Sequence, residues 1–428
     1  MDSGVAVVGA GWAGLAAAAE LARRGIAPTV FESSRSLGGR ARLVERHGLD
    51  NGQHILSGAY RETLRLMKTV GVDPQRALLR LPLTLCYPQR LLLRAPRLPA
   101  PLHLAAALLR ARGLDWGERL AAMQFMNCLK RTGYALYADL SVAALLDDHG
   151  QPERLRRLVW EPLCVAALNT PAERASARVF INVLRDSLGA RRAASDLLLP
   201  RVDLSALFPS PAAEYVEARG GAVRLNAPVS RIERAGDGFL VHGPAGVQRF
   251  GQVVVAVPPA RLAGLLAGLP ELGPVLAAVA RFDYEPILTC YVEFDRPVSL
   301  PAPMVGMTGG TGQWAFDRGQ SGGPPGLVAV VVSASGPHQA LSHEEVARVL
   351  CDELAELVPA GARPASTRVI EEKRATFACV PDLERPREET GVPGLHLAGD
   401  YVASDYPATL EAAVRSGLRC AERVAGRA

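Results

Sequence analysis

The sequence predicts an α/β protein: a Rossmann-like dinucleotide-binding domain, discontinuous in the chain, joined to an α+β substrate domain with a helical cap. Three observations predict it. A strand-turn-helix-strand unit with a glycine fingerprint opens the chain, a second cluster of strands begins near Ala222, and a strand with a long helix closes it. At 428 residues the chain is long enough for two cores. The pieces assign residues 1–75, 210–265 and 385–428 to the nucleotide domain, and 76–209 and 266–384 to the substrate domain.

In the opening unit, Val5 to Val8 is a short β-branched run, Leu15 to Arg24 an Ala/Leu-rich helix closed by Gly25, and Thr29 to Glu32 a second strand. Between strand and helix, Gly9-Ala10-Gly11-Trp12-Ala13-Gly14 matches G-x-G-x-x-G. Gly9 permits the tight turn, Gly11 lets backbone approach a pyrophosphate, and Gly14 lets the helix lie close on the sheet. The helix N-terminus offers free N–H groups and partial positive charge to a diphosphate. Glu32, 21 residues beyond Gly11, stands where a carboxylate accepts hydrogen bonds from both ribose hydroxyls. A bare glycine turn would lack this full set of neighbours. Trp12 reads as packing.

The second strand cluster is Ala222 to Leu225, Val229 to Glu233, Phe239 to His242 and Val253 to Val257. Leu102 to Leu188 is helical in character, and Ile287 to Leu350 mixes strands with one helix. Leu395 to Ala398 reads as a strand and Thr409 to Val424 as the closing helix. Between Leu78 and Leu114, apolar residues alternate with arginines and prolines. That pattern suits a surface lying against a bilayer, and it suits equally a Pro-rich loop and helix packed on the substrate domain.

Net charge is +5, and all basic residues but Lys68, Lys130 and Lys373 are arginines, scattered rather than clustered as a nucleic-acid footprint requires. Seven cysteines at wide spacings contain no C-x-x-C pair, so neither a disulfide framework nor a metal site is expected. No run of about 20 apolar residues is unbroken by Gly, Pro or charge, and the N-terminus lacks a basic n-region. A cytoplasmic protein is expected, with peripheral contact to the inner membrane left open.

Six residues past Glu32 comes Gly38-Gly39-Arg40-Ala41-Arg42, and the far end carries Ala398-Gly399-Asp400 followed by Pro407-Ala408-Thr409-Leu410-Glu411-Ala412-Ala413. Together with the glycine turn, these resemble the FAD-dependent amine oxidase and phytoene desaturase superfamily. The resemblance implies FAD as cofactor in an amine-oxidase-like fold. It implies that Gly39, Arg40 and Arg42 touch diphosphate and flavin, although two solvated arginines would read the same. It also implies ribityl contact by Asp400 after Gly399, and a closing helix whose first amides, near Thr409 and Leu410, face the flavin. Val229 falls in the segment beside the adenine. A second nicotinamide-binding glycine motif is missing, so an external electron donor is implied.

Amine oxidases place an aromatic residue two before the Glu of the closing helix, and here that position is Thr409. The departure argues against an amine and for a bulky apolar substrate. Leu49-Asp50-Asn51-Gly52-Gln53-His54, Trp160-Glu161-Pro162-Leu163-Cys164-Val165-Ala166-Ala167-Leu168-Asn169-Thr170-Pro171 and Glu372-Lys373-Arg374-Ala375-Thr376-Phe377 resemble the squalene-associated flavoenzymes, the hydroxysqualene dehydroxylases of hopanoid synthesis. As structure alone, the same stretches read as core helices and a turn. The resemblance implies hydroxysqualene as substrate, other squalene-forming enzymes as partners, and Asn51 and Gly52 among the cofactor contacts. Loss of the hydroxyl as water needs a proton donor, for which His54, Tyr406 and Asp405 are the candidates. A histidine merely satisfied by hydrogen bonds fits position 54 as well.

Overall fold

Val5–Val8, three valines and an alanine buried on both faces, form the central strand of a five-stranded, all-parallel sheet. The computed structural model describes residues 4–426; residues 1–3 and 427–428, the tips of the predicted nucleotide domain, lie outside the described residues. In the sheet, Val5–Val8 pairs with Pro28–Phe31 on one side and Gln252–Val255 on the other, and Ala222–Arg224 and Leu395–Leu397 complete the edges. Strands from three distant parts of the chain therefore share one sheet.

The first helix, Trp12–Arg23, starts three residues earlier than expected, because Gly14 belongs to its first turn. A Cβ on Gly14 would stand 1.9 Å from the Gly9 carbonyl oxygen, so the fingerprint holds helix and strand closer than alanine allows. The closing helix, Leu410–Ala425, packs across it at Gly417, where a Cβ would meet the Ala13 oxygen at 2.2 Å. Arg231–Ala235, Gly238–Gly243 and Gly246–Phe250 make a separate three-stranded antiparallel meander. Val229 lies ahead of that meander, in the loop after Pro228, rather than within a strand.

The second layer is an antiparallel sheet of five strands, ordered Met304–Gly306, Trp314–Asp317, Leu327–Ser333, Tyr284–Phe294 and Pro364–Phe377. Helix His343–Leu354 covers it, started by a capping box between Ser342 and Glu345. Helices Trp116–Arg131, Glu161–Leu168 and Ala177–Ser187 build the cap. The segment between Leu78 and Leu114 contains an element neither expectation named: a hairpin, Thr84–Tyr87 with Leu91–Arg94, turning at Gln89 with φ 61°. Leu91 and Leu93 point inward while Leu92 and Arg94 point out, a period of two that the interleaved arginines concealed.

Candidate active site

The nucleotide cradle begins where the first strand ends. Gly9, at φ 106°, turns the chain with the Ala256 carbonyl only 2.7 Å from where its Cβ would be. Gly11 differs from its neighbours, since a Cβ there would meet nothing nearer than Gly39 Cα at 4.0 Å. Space is thus kept open at the N-terminus of the first helix. No side chain caps that terminus and no acidic residue stands in its first turn, which leaves its amides for an anion. An open glycine floor beneath uncapped amides fits a dinucleotide diphosphate.

Gly38 and Gly39, at φ 98° and 60°, form the opposite lip, and the Gly38 N–H donates to the Ala10 carbonyl at 2.9 Å. Gly38 was not among the expected contacts, although the glycine doublet was its signal. Glu32, buried at the end of the second strand, accepts from the backbone N–H groups of Ala10 and Ser34, each at 2.8 Å. Those bonds fix its carboxylate beside the glycine turn, where the ribose is expected.

Across the cradle, Arg40 and Asp400 are drawn together from opposite ends of the chain. Arg40 Nη2 donates to both carboxylate oxygens of Asp400, at 2.7 and 2.8 Å, and Nη1 donates to the Ala375 carbonyl at 2.6 Å. One arginine therefore locks the glycine doublet, the closing segment and the edge strand Pro364–Phe377 into one unit. Arg42 instead turns back to the Gly39 carbonyl and bounds the lip. Asn51 donates to the Arg40 carbonyl at 2.9 Å, and Gly52 holds φ 92° beside Thr289. Gly399 N–H donates to Ser416 Oγ at 2.8 Å, which ties the loop to the closing helix. Thr409 caps that helix, its hydroxyl accepting from the Ala412 N–H at 3.2 Å, with Leu410 as first helical residue.

Glu411 is fully buried and serves the scaffold: it accepts from Glu62 and Thr63 N–H at 3.1 and 2.9 Å, Thr63 Oγ1 at 2.7 Å and Arg415 Nε at 2.8 Å. A carboxylate of one helix thereby caps the N-terminus of another, Arg61–Thr69.

The three acid candidates separate. His54 is half-buried, its Nδ1 3.0 Å from the Gly52 carbonyl, and burial together with the Arg40 cation holds its pKa below the ordinary histidine value. A carbonyl partner requires the proton on Nδ1, so Nε2 is free in the neutral ring. Tyr406 directs its hydroxyl to Asp186 on helix Ala177–Ser187, with Arg415 over its ring at 4.4 Å, and burial and the carboxylate push its pKa up. Asp405 is exposed, its carboxylate 3.9 Å from Arg185, and is not brought into this buried group.

The stretch ending Asn169-Thr170 performs structural work. Asn169, in the left-handed region at φ 47°, donates to Thr376 Oγ1 at 3.0 Å and accepts from Ala334 N–H at 2.8 Å. Thr170 Oγ1 accepts from Cys379 N–H at 2.9 Å. Cap helix and antiparallel sheet are pinned there. Beside them a cavity of about 710 Å³ lies between Leu158, Pro162 and Val165 of the cap and Tyr87, Met307 and Trp314 opposite. Charged residues of both signs, Arg90, Arg154, Arg157, Glu153 and Glu161, are also in its lining.

A parallel nucleotide sheet, an open glycine cradle and a helix-capped cavity define a flavin-dependent oxidoreductase. The chain belongs to the flavin-containing amine oxidoreductase family, whose profile matches residues 12–425. FAD is its cofactor. The chain is 33% identical to hydroxysqualene dehydroxylase of Rhodopseudomonas palustris, with all of each chain covered. It is 26% identical to 15-cis-phytoene desaturase of Narcissus pseudonarcissus over 98% of this chain and 79% of the desaturase. Among solved structures, cyclohexylamine oxidase from Brevibacterium oxydans aligns with a TM-score of 0.69 at 18% identity, covering 100% of this chain and 99% of the oxidase.

Proposed function

We propose that this enzyme removes the allylic hydroxyl of hydroxysqualene reductively, releasing squalene and water. Full-length likeness to the Rhodopseudomonas dehydroxylase carries this reading. Bound FAD, when reduced, supplies the hydride that replaces the departing hydroxyl. Gly11, Gly39, Glu32, Arg40 and Asp400 hold the dinucleotide, and the first turn of the closing helix faces the ring. The apolar part of the cavity between cap and sheet, at Tyr87, Leu158, Pro162, Val165, Met307 and Trp314, takes part of the polyprene. The breaking C–O bond itself calls for a water-poor setting at the flavin.

The hydroxyl leaves as water only if protonated. His54 is the candidate that supplies this proton: its lowered pKa makes the imidazolium a stronger acid, present in smaller amount at neutral pH. Turnover should therefore rise as pH falls below about 6.5, histidine's unperturbed pKa. His54→Gln should flatten that limb while leaving the flavin spectrum unchanged. Tyr406→Phe, which breaks a bond to Asp186, should lower stability more than turnover.

The decisive experiment is anaerobic mixing of photoreduced protein with hydroxysqualene. Reoxidation of the flavin with squalene formed supports the proposal, and a flavin that stays reduced ends it. The desaturase likeness supports a second reading, in which the chain substrate is oxidised and FAD reduced. Oxidised protein bleached by a polyene precursor would favour that direction.

A further inference from the structure

The apolar residues left in solvent are not spread evenly. Of the eleven large hydrophobic side chains exposed among the described residues, seven fall between Leu92 and Tyr137. Leu102 is 59% exposed, Leu109 47%, Trp116 70% and Leu120 51%. Five of the seven sit on two helices in contact, Leu102–Arg110 and Trp116–Arg131, and on the strand Leu91–Arg94.

Contacts join these residues into one face. Arg119 lies over the Trp116 ring at 4.8 Å and donates to the Leu109 and Ala111 carbonyls at 3.1 and 2.7 Å. Trp116 and Leu120 are one helical turn apart, as Leu102 and Leu109 are two. Leu92 and Arg112 exchange backbone hydrogen bonds at 2.9 and 3.0 Å, which brings the strand alongside.

The stretch of chain that builds this face is cationic. Eight basic residues stand between Arg90 and Arg131 against two acidic ones, Asp115 and Glu118. Both acids are committed to the capping box that starts the second helix, and Glu118 is buried. Exposed apolar tips in a segment whose basic residues outnumber its acids four to one match an interface between acyl chains and anionic headgroups. A second copy of the chain would set the same cations against each other across a two-fold contact, so charge disfavours it.

The face also adjoins the cavity. Arg90 lines the cavity, and its carbonyl lies 1.9 Å from where a Cβ on Gly113, in the loop between the two helices, would stand. Arg154, also in the cavity lining, donates to Glu118 at 3.3 Å.

We propose that this two-helix face docks on an anionic lipid bilayer beside the cavity mouth, so that an apolar substrate passes from membrane to cavity without crossing water. The docking stands on the face alone; only the route for substrate rests on the proposed function. Full-length protein should co-sediment with vesicles of phosphatidylcholine mixed with phosphatidylglycerol at least about tenfold better than with phosphatidylcholine alone, less so at high salt. The triple variant Leu109→Asp, Trp116→Asp, Leu120→Asp should lose that binding while keeping its flavin absorbance and elution volume. Trp116 emission should shift to the blue on the anionic vesicles, a change absent in Trp116→Phe, which keeps the check valid should the triple variant misfold. Wild-type protein that ignores both vesicle types overturns the proposal. So does a triple variant that binds as wild type, or a wild-type dimer that the variant splits while vesicles have no effect. Vesicle binding without turnover of hydroxysqualene would sink the substrate reading and leave the docking intact.

Discussion

Two helices of this chain are both rich in alanine and leucine and have opposite fates. The first helix, WAGLAAAAELAR, has eleven of its twelve residues buried, whereas LHLAAALLR, Leu102–Arg110, buries only His103 and Ala107. Alanine and leucine thus do not decide burial. What decides it is whether neighbours can come close: Gly14 and Gly417 let a strand and a second helix approach the first helix on two sides, and Leu102–Arg110 has no comparable glycine contacts.

Substitutions that restore side chains to the cradle should break this contrast most severely. Gly14→Val drives carbon into the Gly9 carbonyl and should yield no soluble, flavin-bound protein. Gly11→Ala is the informative partner. Its methyl meets no protein atom nearer than 4.0 Å, so the apoprotein should melt within a degree or two of wild type, on the order of a few tenths of a kcal/mol. Flavin affinity should nevertheless fall at least about tenfold, because the methyl enters the diphosphate space. Calorimetry of the apoprotein beside FAD titration checks both, and a Gly11→Ala protein with normal affinity would remove the diphosphate from this floor.

Next in size is Glu411→Ala. It strips Thr63 and Glu62 of their acceptor and leaves Arg415 half-buried and unpaired, for a loss of about 3 kcal/mol in chemical denaturation. Glu411→Gln should recover part of that loss, since its oxygen still accepts from the helix.

Asp50 works in the other direction. Burial pushes its carboxyl up to about 6, against hydrogen bonding from Leu204 N–H at 2.8 Å. An acid whose folded pKa lies above its unfolded value holds a proton in the native state that the unfolded chain releases. Stability contributed by that proton is present at low pH and lost as pH rises from about 4 to about 6. Asp50→Asn should therefore be more stable than wild type above pH 6 by up to about 3 kcal/mol, with the difference closing near pH 4. Urea midpoints across that range test the sign.

The parts of the cradle that were legible in the sequence are those where backbone must do something only glycine permits. Gly9, Gly14 and the Gly38-Gly39 doublet speak through steric exclusion, and steric exclusion is local. The Arg40–Asp400 pair was foreseen only as two separate ligand contacts, because nothing in a linear chain says that residues 360 positions apart share a hydrogen bond. Asn169 and Thr170 looked distinctive and turned out to be pins between cap and sheet, a function set by tertiary neighbours at Ala334, Thr376 and Cys379. The hairpin at Thr84–Tyr87 and Leu91–Arg94 escaped for another reason. Its outward strand face carries leucine as well as arginine, so the polar half of the alternation is blurred where the surface is itself apolar.

The smallest expected effect is the sharpest test of the contrast between the two alanine-rich helices. Leu109→Ser removes an exposed side chain of a helix whose inward residues are His103 and Ala107. Surface changes of this kind alter stability by no more than about 0.5 kcal/mol, so the melting temperature should scarcely move. Leu15→Ser, on a fully buried leucine of the first helix, should lower it by several degrees or prevent folding, a loss of about 3 kcal/mol or more from cavity and unpaired hydroxyl together. If the two leucine-to-serine changes proved equally damaging, Leu109 would have to be covered in the folded protein, and exposure would no longer distinguish the two helices.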